Sequence, residues 1–262
     1  MFFRHAIRSA TFVAGIAVLL LQMSHGAEPA TPVKPGISEE ASSAVAQMGK
    51  TLLSKEFSFT AKTIRVYQGP GGQPLHIFHA MNIVVRRPDR FSVQVTGDDG
   101  SHELLYDGKT VSLFLPAEKK YATVSSQGDI ASALDAVTSR FGTDFPLADF
   151  FTQAPDKSVL SGVVAGWQVG TAKIGGIDCR HLFFSQQGGI DLELWVENNT
   201  ASTPRRLIVT YRLLPGQPNF IAEFSDWNFG AKPADAVFAF TPPAGATKID
   251  FKEAGIVGGT AR

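Results

Sequence analysis

The chain has 262 residues, 24 Lys+Arg against 24 Asp+Glu, 18% charged and 44% hydrophobic residues. Without a basic excess it is a poor match for a phosphate backbone, which argues against general nucleic-acid binding, and its apolar fraction excludes a disordered chain. The lone cysteine, Cys179, excludes an intrachain disulfide and any Cys₄ or Cys₂His₂ zinc site within one chain.

Arg4 and Arg8 precede an apolar run over residues 11–21 that is too short to span a membrane comfortably. Ser24-His25-Gly26 then places small residues ahead of a cleavage point. Residues 1–26 therefore read as an export signal, cut after Gly26 or, as second choice, after Ala27. An uncleaved anchor helix fits less well, because Gln22, Ser24 and His25 end the run early. No cysteine follows for acylation. The expected location is the periplasm if the source is a diderm bacterium, and outside the cell otherwise, with no transmembrane span in the mature protein. Residues 27–37 are expected to be a disordered, Pro-rich spacer, and residues 38–262 one domain.

Ser38 is placed to cap a helix running to about Leu53, with Glu39 and Glu40 in its first turn and Val45, Met48 and Leu52 as its apolar stripe. From Phe57 the period changes to two. Phe57, Phe59, Ala61, Ile64 and Val66 make a strand whose alternation slips near Thr63, which predicts a bulge. Residues 69–72 form a turn into a strand over 75–85, and Arg87-Pro88-Asp89-Arg90 makes a corner. Phe91, Val93 and Val95 alternate with polar residues, and Asp107-Gly108 predicts a type I′ hairpin into a strand over 110–115.

Ile130, Leu134, Val137 and Phe141 then form one stripe of an amphipathic helix capped by Asp129. Phe145, Leu147, Phe150 and Phe151 predict a second short helical piece starting at Pro146. Strands follow near residues 167–174, 179–185, 190–196, 205–213, 220–229 and 237–240. Successive strands with tight turns specify an antiparallel sheet that buries one face. The expected fold class is mainly β (α+β): a curved half-barrel of about eleven strands, with an N-terminal helix and a central helical lid.

Three segments carry a family resemblance. Arg87-Pro88-Asp89-Arg90-Phe91, then Tyr106-Asp107-Gly108-Lys109-Thr110, then Leu115-Pro116 with Tyr121, resemble a run in periplasmic lipoprotein carriers of the LolA/LolB fold. The ending Phe238-Ala239-Phe240-Thr241-Pro242-Pro243 with Gly245 resembles the close of that fold. Over most of the mature chain the nearer resemblance is to an uncharacterised bacterial family of predicted periplasmic proteins in the same superfamily, whose pattern residues 190–196 and 224–227 fit. This resemblance implies an unclosed, eleven-stranded barrel whose hollow lies under helices and can hold acyl chains. It does not imply lipoprotein carriage, and no functional residue is carried over.

Elsewhere the chemistry is sparse. Gly108-Lys109-Thr110 ends like a phosphate loop, but Glu103 occupies the upstream glycine position and the setting is a hairpin. Cys179 and His181 share a strand face and could form half a metal site, whereas His76 and His79 point to opposite faces; no metal or cofactor is assigned. Asp191 and Glu193 share a face with Trp195 and could serve as an acid–base pair, with Arg206 and Arg212 in reach as ion-pair partners instead. Asp226-Trp227 admits a similar reading with less support.

The phenylalanines carry more information. Phe141, Phe145, Leu147, Phe150 and Phe151, with Leu134, Val137, Phe91 and Val93, are the candidate lid and hollow for a greasy ligand. The alternative is a solid core that these side chains plug. The resemblance favours the hollow, so the expected function is a non-enzymatic periplasmic carrier of a lipid or acyl chain, with an envelope protein or lipoprotein as a further candidate partner. A structural or interaction module with a filled core, and a hydrolase using the carboxylate pair, are the alternatives.

Overall fold

The computed structural model describes residues 36–141 and 145–251. The expected export signal and nearly all of the spacer lie outside these residues, as does the side chain of Phe141.

In chain order the elements are β1 (Gly36–Ile37), α1 (Glu39–Leu52), β2 (Glu56–Gln68), β3 (Pro74–Arg86), β4 (Arg90–Gly97), β5 (Gly100–Tyr106), β6 (Thr110–Leu115), β7 (Lys120–Ser125), α2 (Ile130–Phe141), α3 (Pro155–Val159), β8 (Val163–Ile174), β9 (Ile177–Gln186), β10 (Ile190–Glu197), β11 (Pro204–Tyr211), β12 (Asn219–Asn228) and β13 (Thr247–Lys248). All strands join one sheet in the order β1-β8-β9-β10-β11-β12-β2-β3-β4-β5-β6-β7-β13. The strands from β2 to β12 form the antiparallel half-barrel expected from the sequence. The pairs at the two edges, β1 with β8 and β13 with β7, are short and parallel. The end of the expected spacer is thus a strand, with Gly36 beside Ala165.

This strand order explains why helices cover one face. The β2–β7 and β8–β12 meanders join through β12 and β2, which leaves β7 and β8 near opposite edges. Ten strand spacings of about 4.8 Å would separate them by roughly 48 Å in a flat sheet. Apolar residues from strands of both meanders meet in a single core with α1 and α2, so the sheet must curl. The connection from β7 to β8 then crosses the concave side.

Local chemistry sets the helices. Ser38 accepts a hydrogen bond from the Ala41 amide at 3.2 Å and caps α1, whose Val45, Met48 and Leu52 are fully buried while Leu53 is exposed. Asp129 accepts from the Ser132 amide at 3.0 Å and starts α2 as expected. The second helical piece differs from expectation: after Pro146 comes only a 3₁₀ turn over Ala148–Phe150, and Pro155 rather than Pro146 opens a helix, α3.

Three strand expectations are corrected. β2 pairs with β3 from Glu56 to Gln68 without a shift, so Thr63 is not a bulge. Thr63 lies on the concave parity with Ala61, while Ile64 and Val66 face outward; an apolar outer face produced the slip. The turn after β5 is not type I′, because positive φ is confined to Gly108 (φ 91°), and Asp107 Oδ1 instead accepts from the Lys109 and Thr110 amides. Residues 237–240 form no strand. They belong to a strap along the convex face, where Phe238 lies under the Arg86 guanidinium and Phe240 packs on Phe114 and Tyr121 before β13 reaches β7. Outward-facing Ser92, Leu105 and Ser112 are also buried.

Candidate functional site

The concave face is built by alternation. Phe57 and Phe59 on β2, Ile83 and Val85 on β3, and Phe91 and Val93 on β4 all turn inward and are buried. Leu134 and Val137 of α2, with Leu147, Phe150 and Phe151 beyond it, join the same cluster, and Phe145 packs on its margin. The structure therefore brings together the expected lid and hollow residues, apart from the undescribed Phe141 side chain. Phe150 and Phe151 are each 1% exposed. Phe150 packs on Phe224 and Phe151 on Phe59, with ring centroids 5.5 and 6.2 Å apart and edge-on geometry. In this conformation both rings pack directly on the inner face of the sheet.

Trp227 completes this floor by a local irregularity. The β12–β2 register shifts after Ser225, where Asp226 takes a left-handed conformation (φ 55°) and Trp227 turns inward to stack on Phe59 at 4.2 Å. Hydrogen bonds from Thr60 and Ser225 hold the Asp226 carboxyl below the usual carboxylate range and fix the bulge. Asp226-Trp227 is thereby accounted for as a structural bulge.

Arg87 is the residue that sequence reasoning missed. Its side chain follows the inward parity of Val85 into the core and stacks over Phe57. It donates to the carbonyls of Ser54 at 3.1 Å, Phe150 at 2.9 Å and Thr152 at 3.0 Å. Burial pulls its pKa down to about 10, and the three carbonyl acceptors favour the charged form, so it is a cation at neutral pH. Apart from these bonds and one from Gln186 to the Val159 carbonyl, residues 145–159 are tied to the sheet by apolar packing among the described residues. A cation two positions after Val85, on the buried parity, was the available signal.

The carboxylate pair lies elsewhere. Asp191 and Glu193 face outward on the convex side, where Asp191 pairs with Arg212 at 2.7 Å and Glu193 with His181 at 2.8 Å. Arg206 pairs instead with Glu223 and stacks over Trp195, whose other face carries the His181 ring at 4.0 Å. Both carboxylates are engaged and point away from the covered face. Cys179 and His181 also face outward, and no group of three metal-ligating side chains occurs among the described residues. Burial raises the Cys179 thiol's pKa, as for an inert packed thiol. A groove of about 650 Å³ opens on the same convex side, with Lys62, Ile64, Phe78, Ala80, Ile221 and Glu223 in its lining.

Past the cover, toward the turns at the far ends of β2 and β3, polar side chains enter the inner face. Thr63, His79 and Gly97 are cross-strand neighbours, and His102 sits beside Val95. Among the described residues no helix is long and apolar enough to cross a membrane.

Over residues 41–252 the sequence matches the family model described as "Predicted periplasmic protein (DUF2092)". The chain belongs to this family. It is a periplasmic protein of the kind its motifs implied. Comparison with curated proteins gives no match. Among solved structures, an uncharacterized conserved protein from Thermus thermophilus aligns at 10% identity and a TM-score of 0.49, covering 81% of this chain and 99% of that one. The Mycobacterium tuberculosis lipoprotein LppX aligns at 16% identity and 0.46, covering 74% and 99%. A LolA superfamily protein from Nitrosomonas europaea aligns at 12% and 0.38, covering 76% and 97%. These likenesses are distant.

Proposed function

We propose that this family member is a periplasmic, non-enzymatic carrier of a hydrophobic ligand, a lipid or an acyl chain, which enters the concave face when the helical cover is displaced. The observation that carries this reading is the cover itself. An open sheet leaves its apolar face to a segment threaded between its two edges, and residues 145–159 hold that face mainly by phenylalanines that an acyl chain could replace. Burying a 14-carbon chain at about 0.8 kcal/mol per methylene offers roughly 11 kcal/mol gross, before ordering costs. The displaced cover gives up part of that gain. The signal peptide of residues 1–26 and the single domain of residues 38–262 belong to the same reading.

The test is direct: purify the protein, extract it with organic solvent, and titrate it with a fluorescent fatty acid. Saturable uptake that an unlabelled chain displaces supports the carrier, and failure to take up both the fatty acid and a neutral hydrocarbon probe removes it. The near-complete burial of Phe150 and Phe151 favours one other reading, an interaction module of the cell envelope with a permanently filled core, which takes up no ligand at all.

A further inference from the structure

Beyond the aromatic floor, the concave face carries a strip of polar side chains, one of which the fold leaves buried and unbonded. Thr63 is 1% exposed, shares its face with Ala61 and Ala222, and its Oγ1 has no hydrogen-bond partner among the described residues. Directly opposite is His79, whose ring lies across Gly97 so closely that a Cβ there would come within 2.3 Å of the ring's Cδ2. His79 Nε2 bonds Asp99 at 2.8 Å. His102, beside Val95 on the same face, makes no hydrogen bond among the described residues, and burial lowers its pKa to about 4, so it is neutral. A buried hydroxyl without a partner costs stability unless something else satisfies it.

We propose that Thr63, His79 and His102 form the docking strip for the polar end of an amphiphile, and that this end is uncharged, bearing hydroxyl or ester oxygens as an acylglycerol does. This rests on the carrier reading, for the strip continues the apolar face on which the chain would lie. Thr63 and a neutral His102 each offer one donor and one acceptor, which suits hydroxyls and ester carbonyls. Within the strip the Asp99 carboxylate, bonded to His79, disfavours an anionic end, while the Arg65 guanidinium two residues along the same face is held over the Phe220 ring. A cationic end would have to give up its water beside Thr63 and the neutral His102 ring.

The experiment uses diphenylhexatriene, a fluorescent hydrocarbon with no polar end, titrated into the wild-type protein, T63V and H102F. Each loaded protein is then challenged with 1-monopalmitoylglycerol and, separately, with palmitate. All three proteins are expected to bind diphenylhexatriene within about twofold of one another, while monopalmitoylglycerol displaces it from either variant only at about tenfold higher concentration, the worth of one net hydrogen bond. Palmitate is expected to displace it less well than the glycerol ester and equally from all three. Unchanged displacement by monopalmitoylglycerol in both variants overturns the strip while leaving the carrier standing. Palmitate matching the ester overturns the uncharged end. No diphenylhexatriene uptake by the wild type removes the carrier reading and the strip with it. Should H102F fail to fold, T63V decides alone, because Val matches Thr in shape and breaks no bond, so T63V is expected to melt no lower than wild type.

Discussion

Arg87 and Phe150 are joined by a buried hydrogen bond of 2.9 Å, from the arginine Nη2 to the phenylalanine carbonyl. The same guanidinium holds Thr152 and Ser54, so one side chain ties the 3₁₀ turn of the cover to the segment after α1 and to the β3–β4 corner. These carbonyls have no other hydrogen-bond donor among the described residues, and a charged donor serves all three.

Replacing Arg87 with Met keeps most of the apolar stem and removes every donor. The three carbonyls lose charge-assisted bonds, and we expect a loss of about 2–4 kcal/mol in urea unfolding. Amide exchange should rise most at residues 150–152. Uniform acceleration across α1, α2 and the strands would show that Arg87 supports the whole fold rather than the cover.

His102 makes stability depend on pH. Burial, the main cause, lowers its pKa from 6.5 to about 4; Asp99 opposes the shift and His79 adds to it. With the folded pKa below the unfolded one, the unfolded chain binds the proton first as pH falls. The ring's stabilising contribution is complete above about pH 6.5 and is lost as pH falls toward about 4, by no more than about 3 kcal/mol and less where water reaches the ring. Thermal melts from pH 7 to 4.5 should show this decline, and H102F should flatten it. The carboxyls of Asp226 and Asp235, held below 3.8 by their hydrogen bonds, lose their contribution only at lower pH.

Gly49 tests how the cover is seated on α1. Gly→Ala in a helix interior ordinarily gains about 1 kcal/mol. Here a Cβ would stand 2.7 Å from the Asp156 Cβ and 3.1 Å from its amide nitrogen, atoms at the root of α3 that cannot swing aside. The clash should win, so we expect G49A to lower stability by about 1–3 kcal/mol. A double variant adding D156G removes the nearer atom and should recover part of that loss; a stabilised G49A would mean that α3 is loosely held.

The regular parts of this fold were legible because local chemistry decided them. Ser38 and Asp129 cap the helices they were expected to cap, and alternation at Phe91, Val93 and Val95 reports a buried face directly. The misses share a cause: each depends on a distant partner. Ile64 and Phe78 form an apolar pair on the outside of the sheet, which disguised the parity of Thr63 as a bulge. Phe238 and Phe240 read as a strand but pack onto Arg86, Phe114 and Tyr121, far away in sequence. Arg87 looked like part of a turn because its acceptors lie in segments no local pattern connects to it.

The outward carboxylates should be dispensable. Asp191 and Glu193 sit in partly exposed pairs with Arg212 and His181, and such pairs contribute about 0–1 kcal/mol. D191N and E193Q together should change stability by no more than about that much and leave uptake of a fluorescent fatty acid unaltered. Loss of uptake would move the binding surface to the convex side, where the groove beside Phe78 is the place to look.

Phe150 distinguishes a displaceable cover from a permanent core. Phe→Ala at a site this buried costs about 3–5 kcal/mol in the ligand-free protein. If the ring occupies space that an acyl chain takes when bound, it competes with the ligand, and its removal penalises the empty form more than the loaded one. F150A should then melt lower when empty, bind diphenylhexatriene more tightly than wild type, and recover much of its lost stability on saturation. A permanent core behaves differently: the loss of Phe150 loosens Phe59 and Phe224 around it, and stability falls without any gain in affinity. Measuring the melting temperature and the affinity on one preparation separates these outcomes, because the cover reading requires the two to move in opposite directions.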